Sequence, residues 1–147
     1  MKYVDASAIM RVLFYEPGPS VPLRAGDRII SSRLLALETF RAVDRVRLLG
    51  ALDDQTTAVK RKELAALLAM LDLVAIDQAI LDRAAGSFAI PLRALDAIHV
   101  ATAEEVAATA EGEDVEFWTH DQRQAIAAIS RGLAVRGLGG PPGDSGQ

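Results

Sequence analysis

Five short apolar runs, at residues 2–6, 28–31, 73–76, 115–119 and 133–135, alternate along this chain with longer stretches of helical spacing. Nothing else in the sequence restricts the fold so strongly. Short apolar strands separated by helices pair in parallel and need helices over both faces of the sheet. The expected architecture is therefore α/β: a three-layer α/β/α sandwich around a central, mainly parallel sheet. Helical spacing predicts helices at 7–15, about 33–49, about 54–71, from Asp77 to near Gly86, about 93–110 and from Asp121 to Arg131. Pro17-Gly18-Pro19 ends the first of these. Ser32 is placed to cap the second and Asp77 the fourth.

The 147 residues, half of them hydrophobic, are enough for one full core and not for two. The domain is read as residues 1–138, with GGPPGDSGQ at 139–147 as a disordered tail. The absence of cysteine removes disulfides, thiolate metal sites and cysteine nucleophiles, and points to a reducing cytoplasm. No secretory leader is visible, and no apolar run approaches the roughly 20 residues that span a bilayer, so the chain reads as soluble, cytoplasmic and free of membrane. A net charge of −4 argues against a surface that grips nucleic acid everywhere, while leaving room for a local basic patch. Lys60-Arg61-Lys62 reads as a solvated helix face. No dinucleotide or phosphate-loop glycine fingerprint is present.

Four acids stand where acids are expensive. Asp5 ends the first strand and Asp121 lies just past the fourth, both on the strand-end rim where open α/β sheets build sites. Glu38, in LLALETFRA, is expected on the core side of its helix with Leu34, Leu35, Ala42 and Leu49, and Arg41 and Arg45 on its flank. Asp96, in LRALDAIHVATA, shares a face with His99, Val100, Ala103 and Ala107, which is expected to be buried. Each acid has an ordinary reading alone: Asp5 and Asp121 as N-caps, Glu38 as the partner of Arg41 or Arg45, Asp96 as a dipole-favoured acid in a first turn. Together they need another cause. Two carboxylates about 4 Å apart repel by about 4 kcal/mol at an effective dielectric near 20, so a cluster must protonate in part or bind a cation. Oxygen ligands without cysteine suit Mg²⁺ or Mn²⁺, which keep waters and take a substrate phosphate. A nucleic acid supplying that phosphate makes the site a phosphodiester hydrolase, with Asp5, Glu38, Asp96 and Asp121 as metal-holding catalytic acids. His99 reads as a packed, hydrogen-bonded residue and His120 as an orienting or exposed one. Arg11, Arg41 and Arg93 are the arginines nearest the acids and the candidates for a phosphate contact.

The segments YVDASAI, LALETFRAV, LRALDAIHVATA and FWTHDQRQAIAAISRGLAV, in that order and spacing, resemble PIN-domain ribonucleases, and most of all the VapC toxins of bacterial toxin–antitoxin pairs. The likeness covers residues 1 to about 138. It implies a PIN-like sandwich, Mg²⁺- or Mn²⁺-dependent endoribonuclease activity on RNA, a homodimer and inhibition by a VapB-type antitoxin. Asp5, Glu38, Asp96 and Asp121 match the family's acidic metal site. Ser7 matches its small polar residue after the first acid and Thr119 its hydroxyl two residues before the last, both orienting carboxylates or waters. The Pro-rich loop at 17–22, the AEGEDVE link and the tail depart from the pattern, which bears on partner contacts and substrate choice. Two other readings stand beside this one. One is a catalytically inactive PIN-like module that binds a protein. The other is a haloacid-dehalogenase-type phosphatase, which wants a second Asp where this chain has Ser7, and a suitably placed lysine.

Overall fold

A computed structural model describes residues 1–139; the tail expected at 139–147 lies, apart from Gly139, outside the described residues. The strands are β1 (Lys2–Val4), β2 (Ile29–Ser32), β3 (Asp72–Val74), β4 (Glu116–Trp118) and β5 (Ala134–Arg136). The helices are α1 (Ala6–Leu13), α2 (Leu34–Leu48), α3 (Asp54–Leu68), α4 (Gln78–Ala84), α5 (Ala94–Thr109) and α6 (Gln122–Ser130). All four strand pairings are parallel, in the order β3-β2-β1-β4-β5. From the central β1 the chain builds outward to β3, then returns to the other side of β1 for β4 and β5. The strand order thus reverses between β1 and β4, and the loops leaving those two strands part there.

Alternation along β1 sends its side chains to opposite layers. Val4 packs with Ala8, Ile9, Leu35, Val43 and Leu64, beneath α1, α2 and α3. Tyr3 packs with Val100, Ala103, Phe117, Ala127 and Ala128, beneath α5 and α6. The three-layer sandwich expected from the sequence is the one observed. Full burial of an aliphatic side chain contributes about 1.5–3 kcal/mol, well above the differences in helix propensity, so these two faces fix which way each helix is turned.

Four helices begin at an aspartate whose side chain accepts the N–H three residues on: Asp5 from Ala8, Asp53 from Thr56, Asp77 from Ile80 and Asp121 from Gln124. Ser32, expected as a cap, does not act as one. It lies buried inside β2, and Arg33 takes the position before α2 without a side-chain cap bond. The first strand stops at Val4, two residues early, because capping by Asp5 commits Ala6 to helix. On α2 the buried stripe is Leu35, Thr39 and Val43, with Glu38 at its edge and Leu49 exposed. Along α5 the buried face runs through His99, Val100 and Ala103 but has ended by Ala107, which is exposed. The Lys60-Arg61-Lys62 run is not a uniform solvated face, since Lys60 folds beneath the end of α1 and Arg61 pairs with Asp44. Among the described residues no helix is long and apolar enough to cross a membrane.

Candidate active site

The carboxyl ends of β1 and β4 open into one crevice at the reversal of strand order. Asp5, directly after β1, is only 3% exposed. Its Oδ1 accepts from the Ala8 N–H at 2.9 Å and the Ser7 hydroxyl at 2.7 Å, and its Oδ2 from the Thr119 hydroxyl at 2.6 Å. Burial pushes the Asp5 pKa up; the hydroxyls of Thr119 and Ser7 and the Ala8 N–H pull it back. The loop after β4 fixes both hydroxyls. The His120 N–H donates to Ser7 Oγ at 2.8 Å and the Asp121 N–H to Thr119 Oγ1 at 3.0 Å. With their acceptor sides filled by backbone, each hydroxyl has its single proton left for the carboxylate. Thr119 Oγ1 also lies 3.0 Å from Gln124 Oε1, but one proton serves only one acceptor, and the carboxylate is the nearer.

Asp121 caps α6 with Oδ1, at 3.0 Å from the Gln124 N–H, and turns Oδ2 toward Arg93 Nη2, 3.7 Å away. Asp96, in the first turn of α5, accepts from Arg93 Nε at 2.9 Å. One guanidinium therefore bridges two acids that stand 25 residues apart in sequence. Its pKa is driven further up, first by the Asp96 hydrogen bond and charge, then by the charges of Asp121 and Glu38. The Arg93 side chain is 80% exposed and borders an open groove of about 560 Å³ with Pro91, Leu92, Asp96, Asp121 and Arg123. Glu38 pairs with neither Arg41 nor Arg45. Its Oε2 accepts from His99 Nε2 at 2.5 Å, because the edge of the buried stripe turns it inward while both arginines face solvent.

The four carboxylates expected to meet at one spot do not form a single cluster in this structure. Asp96 and Asp121 share Arg93, whereas Asp5 and Glu38 have separate partners, and as placed no three Asp, Glu or His side chains among the described residues stand close enough to hold a metal ion together. The donor set itself fits a hard divalent cation. It consists of oxygens alone, and Asp96 and Asp121 already share one positive charge, from a side chain exposed enough to be displaced.

Sequence reasoning passed over Gln124. Fully buried on α6, it directs Nε2 to the backbone oxygen of Asp96 at 3.4 Å, tying α6 to the first turn of α5. Its signal was a lone amide in an otherwise alanine-rich buried stripe. His120 is partly buried, and it orients the loop. Its Nδ1–H donates to the Gly137 carbonyl at 2.6 Å. Burial, followed by the charge of Arg11, lowers its pKa. Gly137 is required there: its φ is +96°, and a Cβ would lie 2.7 Å from the Thr119 carbonyl oxygen.

The family model of the PIN domain matches residues 2–129, a span that includes all four acids with Ser7 and Thr119. The chain is also similar to Ribonuclease VapC46 of Mycobacterium tuberculosis (strain ATCC 25618 / H37Rv). The two are 36% identical over 137 residues, which cover 90% of this chain and 94% of that protein.

Proposed function

The chain belongs to the PIN-domain family, and from that premise we propose that it is an endoribonuclease of the VapC type, the toxin of a toxin–antitoxin pair. The observation that carries this reading is the Arg93 guanidinium shared by Asp96 and Asp121, linked through Thr119 to the buried Asp5. Membership of the family removes the phosphatase reading.

Mg²⁺ or Mn²⁺ held by Asp5, Glu38, Asp96 and Asp121 would lower the pKa of a water and offset charge on the leaving oxygen of a phosphodiester. The chain's own residues prepare for that. Ser7 and Thr119 hold both oxygens of Asp5 in a fixed plane, so no rotamer search is needed when RNA arrives. Gln124 and the Asp121 cap hold α5 and α6 in register across the crevice. Arg93 leaves the two carboxylates for the RNA backbone, where its planar fork matches a phosphate. In this reading water is the attacking group and no covalent enzyme intermediate is needed; the chain has no cysteine to form one. The same reading takes a VapB-type antitoxin as inhibitor, a homodimer as the working form and the cytoplasm as its place. The kinship to a VapC protein supports the first of these, and the exposed Leu48 and Leu49 at the end of α2 offer apolar surface for protein contact.

The test is RNA cleavage by purified protein in Mn²⁺ or Mg²⁺ against EDTA. The parent is expected to cut, and Asp5→Asn and Asp96→Asn to lose more than about 100-fold in rate with the fold retained. A parent that cuts no RNA in either metal and takes up no Mn²⁺ would overturn the reading in favour of an inactive protein-binding module.

A further inference from the structure

Behind the acids, on the α5 side of the sheet, lies a hydrogen-bonded chain that ends on Glu38 and whose tyrosine and histidine the mechanism above does not use. Tyr3 and His99 are both buried, with exposures of 0% and 1%. The Tyr3 hydroxyl meets His99 Nδ1 at 2.9 Å, and His99 Nε2 meets Glu38 Oε2 at 2.5 Å. The three residues come from β1, α5 and α2, so the contact joins the two layers through the sheet. Tyr3 is held on its other side by Phe117, stacked with ring centroids 5.4 Å apart and 7° between planes, and it meets the imidazole edge-on at 74°. A carboxylate only accepts, so Nε2 carries the proton in this bond; in the neutral ring Nδ1 is then the acceptor for the tyrosine hydroxyl. The direction runs Tyr3 O–H to Nδ1, and Nε2–H to Glu38. Glu38 Oε2 is thereby taken, while Oε1 has no hydrogen-bond partner among the described residues. The field of Glu38 does reach Arg93, between Asp96 and Asp121.

A histidine needed only for packing has cheaper ways to satisfy its nitrogens than two side chains 96 and 61 residues away in sequence. Orientation of a flexible carboxylate gives those contacts a purpose. Glu38 has one more rotatable bond than an aspartate and no helix to cap, so nothing else among the described residues fixes its plane. We propose that Tyr3 and His99 are positioning residues that hold Glu38, through a buried hydroxyl–imidazole–carboxylate chain, with one oxygen presented to a divalent cation at the acid site. The proposal rests on the metal-dependent reading given above.

The test measures Mn²⁺ affinity by calorimetry on the full chain, alongside circular dichroism in EDTA. His99→Leu is expected to weaken Mn²⁺ binding by about 10- to 100-fold, as loss of a ligand's hydrogen-bond partner does elsewhere. His99→Gln, whose amide can still donate to Glu38, is expected to recover most of that loss. In a double-mutant cycle, His99→Leu added to Glu38→Gln is expected to cost little beyond Glu38→Gln alone, because His99 acts through Glu38. Tyr3→Phe keeps the ring and its stacking on Phe117 while removing the hydroxyl. It is expected to weaken Mn²⁺ binding less than His99→Leu does, again only when Glu38 is present, and it decides the matter if His99→Leu does not fold. Parent-like Mn²⁺ affinity in folded His99→Leu or in Tyr3→Phe, or losses that add to that of Glu38→Gln, would overturn the positioning role and leave the nuclease reading intact. A parent that binds no Mn²⁺ would overturn both.

Discussion

A carboxylate that accepts from three donors and is still pushed up in pKa is one whose burial outweighs its hydrogen bonds, and Asp5 is in that position. Folding makes Asp5 hold its proton to higher pH than the unfolded chain does. Between the ordinary carboxylate value near 4 and the raised one, the folded state therefore binds more protons, and stability falls as pH rises through that window. Asp5→Asn keeps a good N-cap for α1 and removes the titration. In EDTA the variant is expected to melt above the parent at pH 7–8, with the gap closing toward pH 4; each kcal/mol moves the melting point of a chain this size by about 2–4 °C. Thermal denaturation followed by circular dichroism from pH 4 to 8 checks it, and a gap that stays constant would remove burial as the cause. Asp5, Glu38, Asp96 and Asp121 stand out in the sequence as candidates because acids in apolar company are anomalous wherever they occur. Tyr3 and Gln124 do not, and His99 does so only as the packed, hydrogen-bonded residue it is, since a buried polar ring or amide is ordinary until its distant partner is seen.

At the scale of elements, what the sequence announces is local. Asp77 and Asp121 cap the helices they were expected to cap, and Asp5 does so too, because a cap reaches only three residues. Ser32 sits in the same kind of position by composition, but the pairing of β2 with β1 and β3 absorbs it. Lys60 shows a stronger version of the same effect, since no spacing rule on α3 reveals that it reaches α1. Its Nζ donates to the Leu13 carbonyl at 2.9 Å, pairs with Glu63 at 2.9 Å and lies 4.8 Å from the Tyr15 ring centroid. A positive charge there meets the negative end of the α1 dipole and an orphan carbonyl, just before Tyr15 turns into the left-handed region at φ 51°. Lys60→Met keeps the stem and deletes the charge. It is expected to lower unfolding stability by about 1.5–3 kcal/mol, the range for a hydrogen bond to a charged group, whereas Lys62→Met, on the exposed side of α3, should stay within about 0.5 kcal/mol. Urea denaturation of the two variants decides the point; equal losses would mean that the α1 contact contributes nothing.

An acidic molecule with the proposed action on RNA has to place its charges well, and the whole molecule separates them. At the strand amino ends, opposite the crevice, Glu111, Glu113 and Asp114 gather in the link from α5 to β4, with no ion pair among the described residues, and the chain's first amine donates to the Asp114 carbonyl at 3.0 Å. On α2, Arg41 and Arg45 follow Glu38 at helical spacing; both are exposed, and both lack an ion pair among the described residues. A net charge of −4 thus leaves a basic stripe, without ion pairs among the described residues, that starts beside a candidate metal ligand and lies on a different element from the acidic link. Composition alone could not show this, since it sums what the fold keeps apart. Each phosphate neutralised on a single strand contributes about 0.7 to the slope of log affinity against log salt. With the uncut strand bound by the Asp5→Asn protein, Arg41→Gln and Arg45→Gln together are expected to weaken binding and to lower that slope by about 1.4. Arg24→Gln with Lys62→Gln removes two exposed charges that also lack ion pairs among the described residues but lie off α2, and should change the slope much less. Fluorescence anisotropy of a labelled single-stranded RNA across a salt series separates the two cases: similar slopes for both pairs would mean that RNA responds to the total charge of the molecule and not to the stripe on α2.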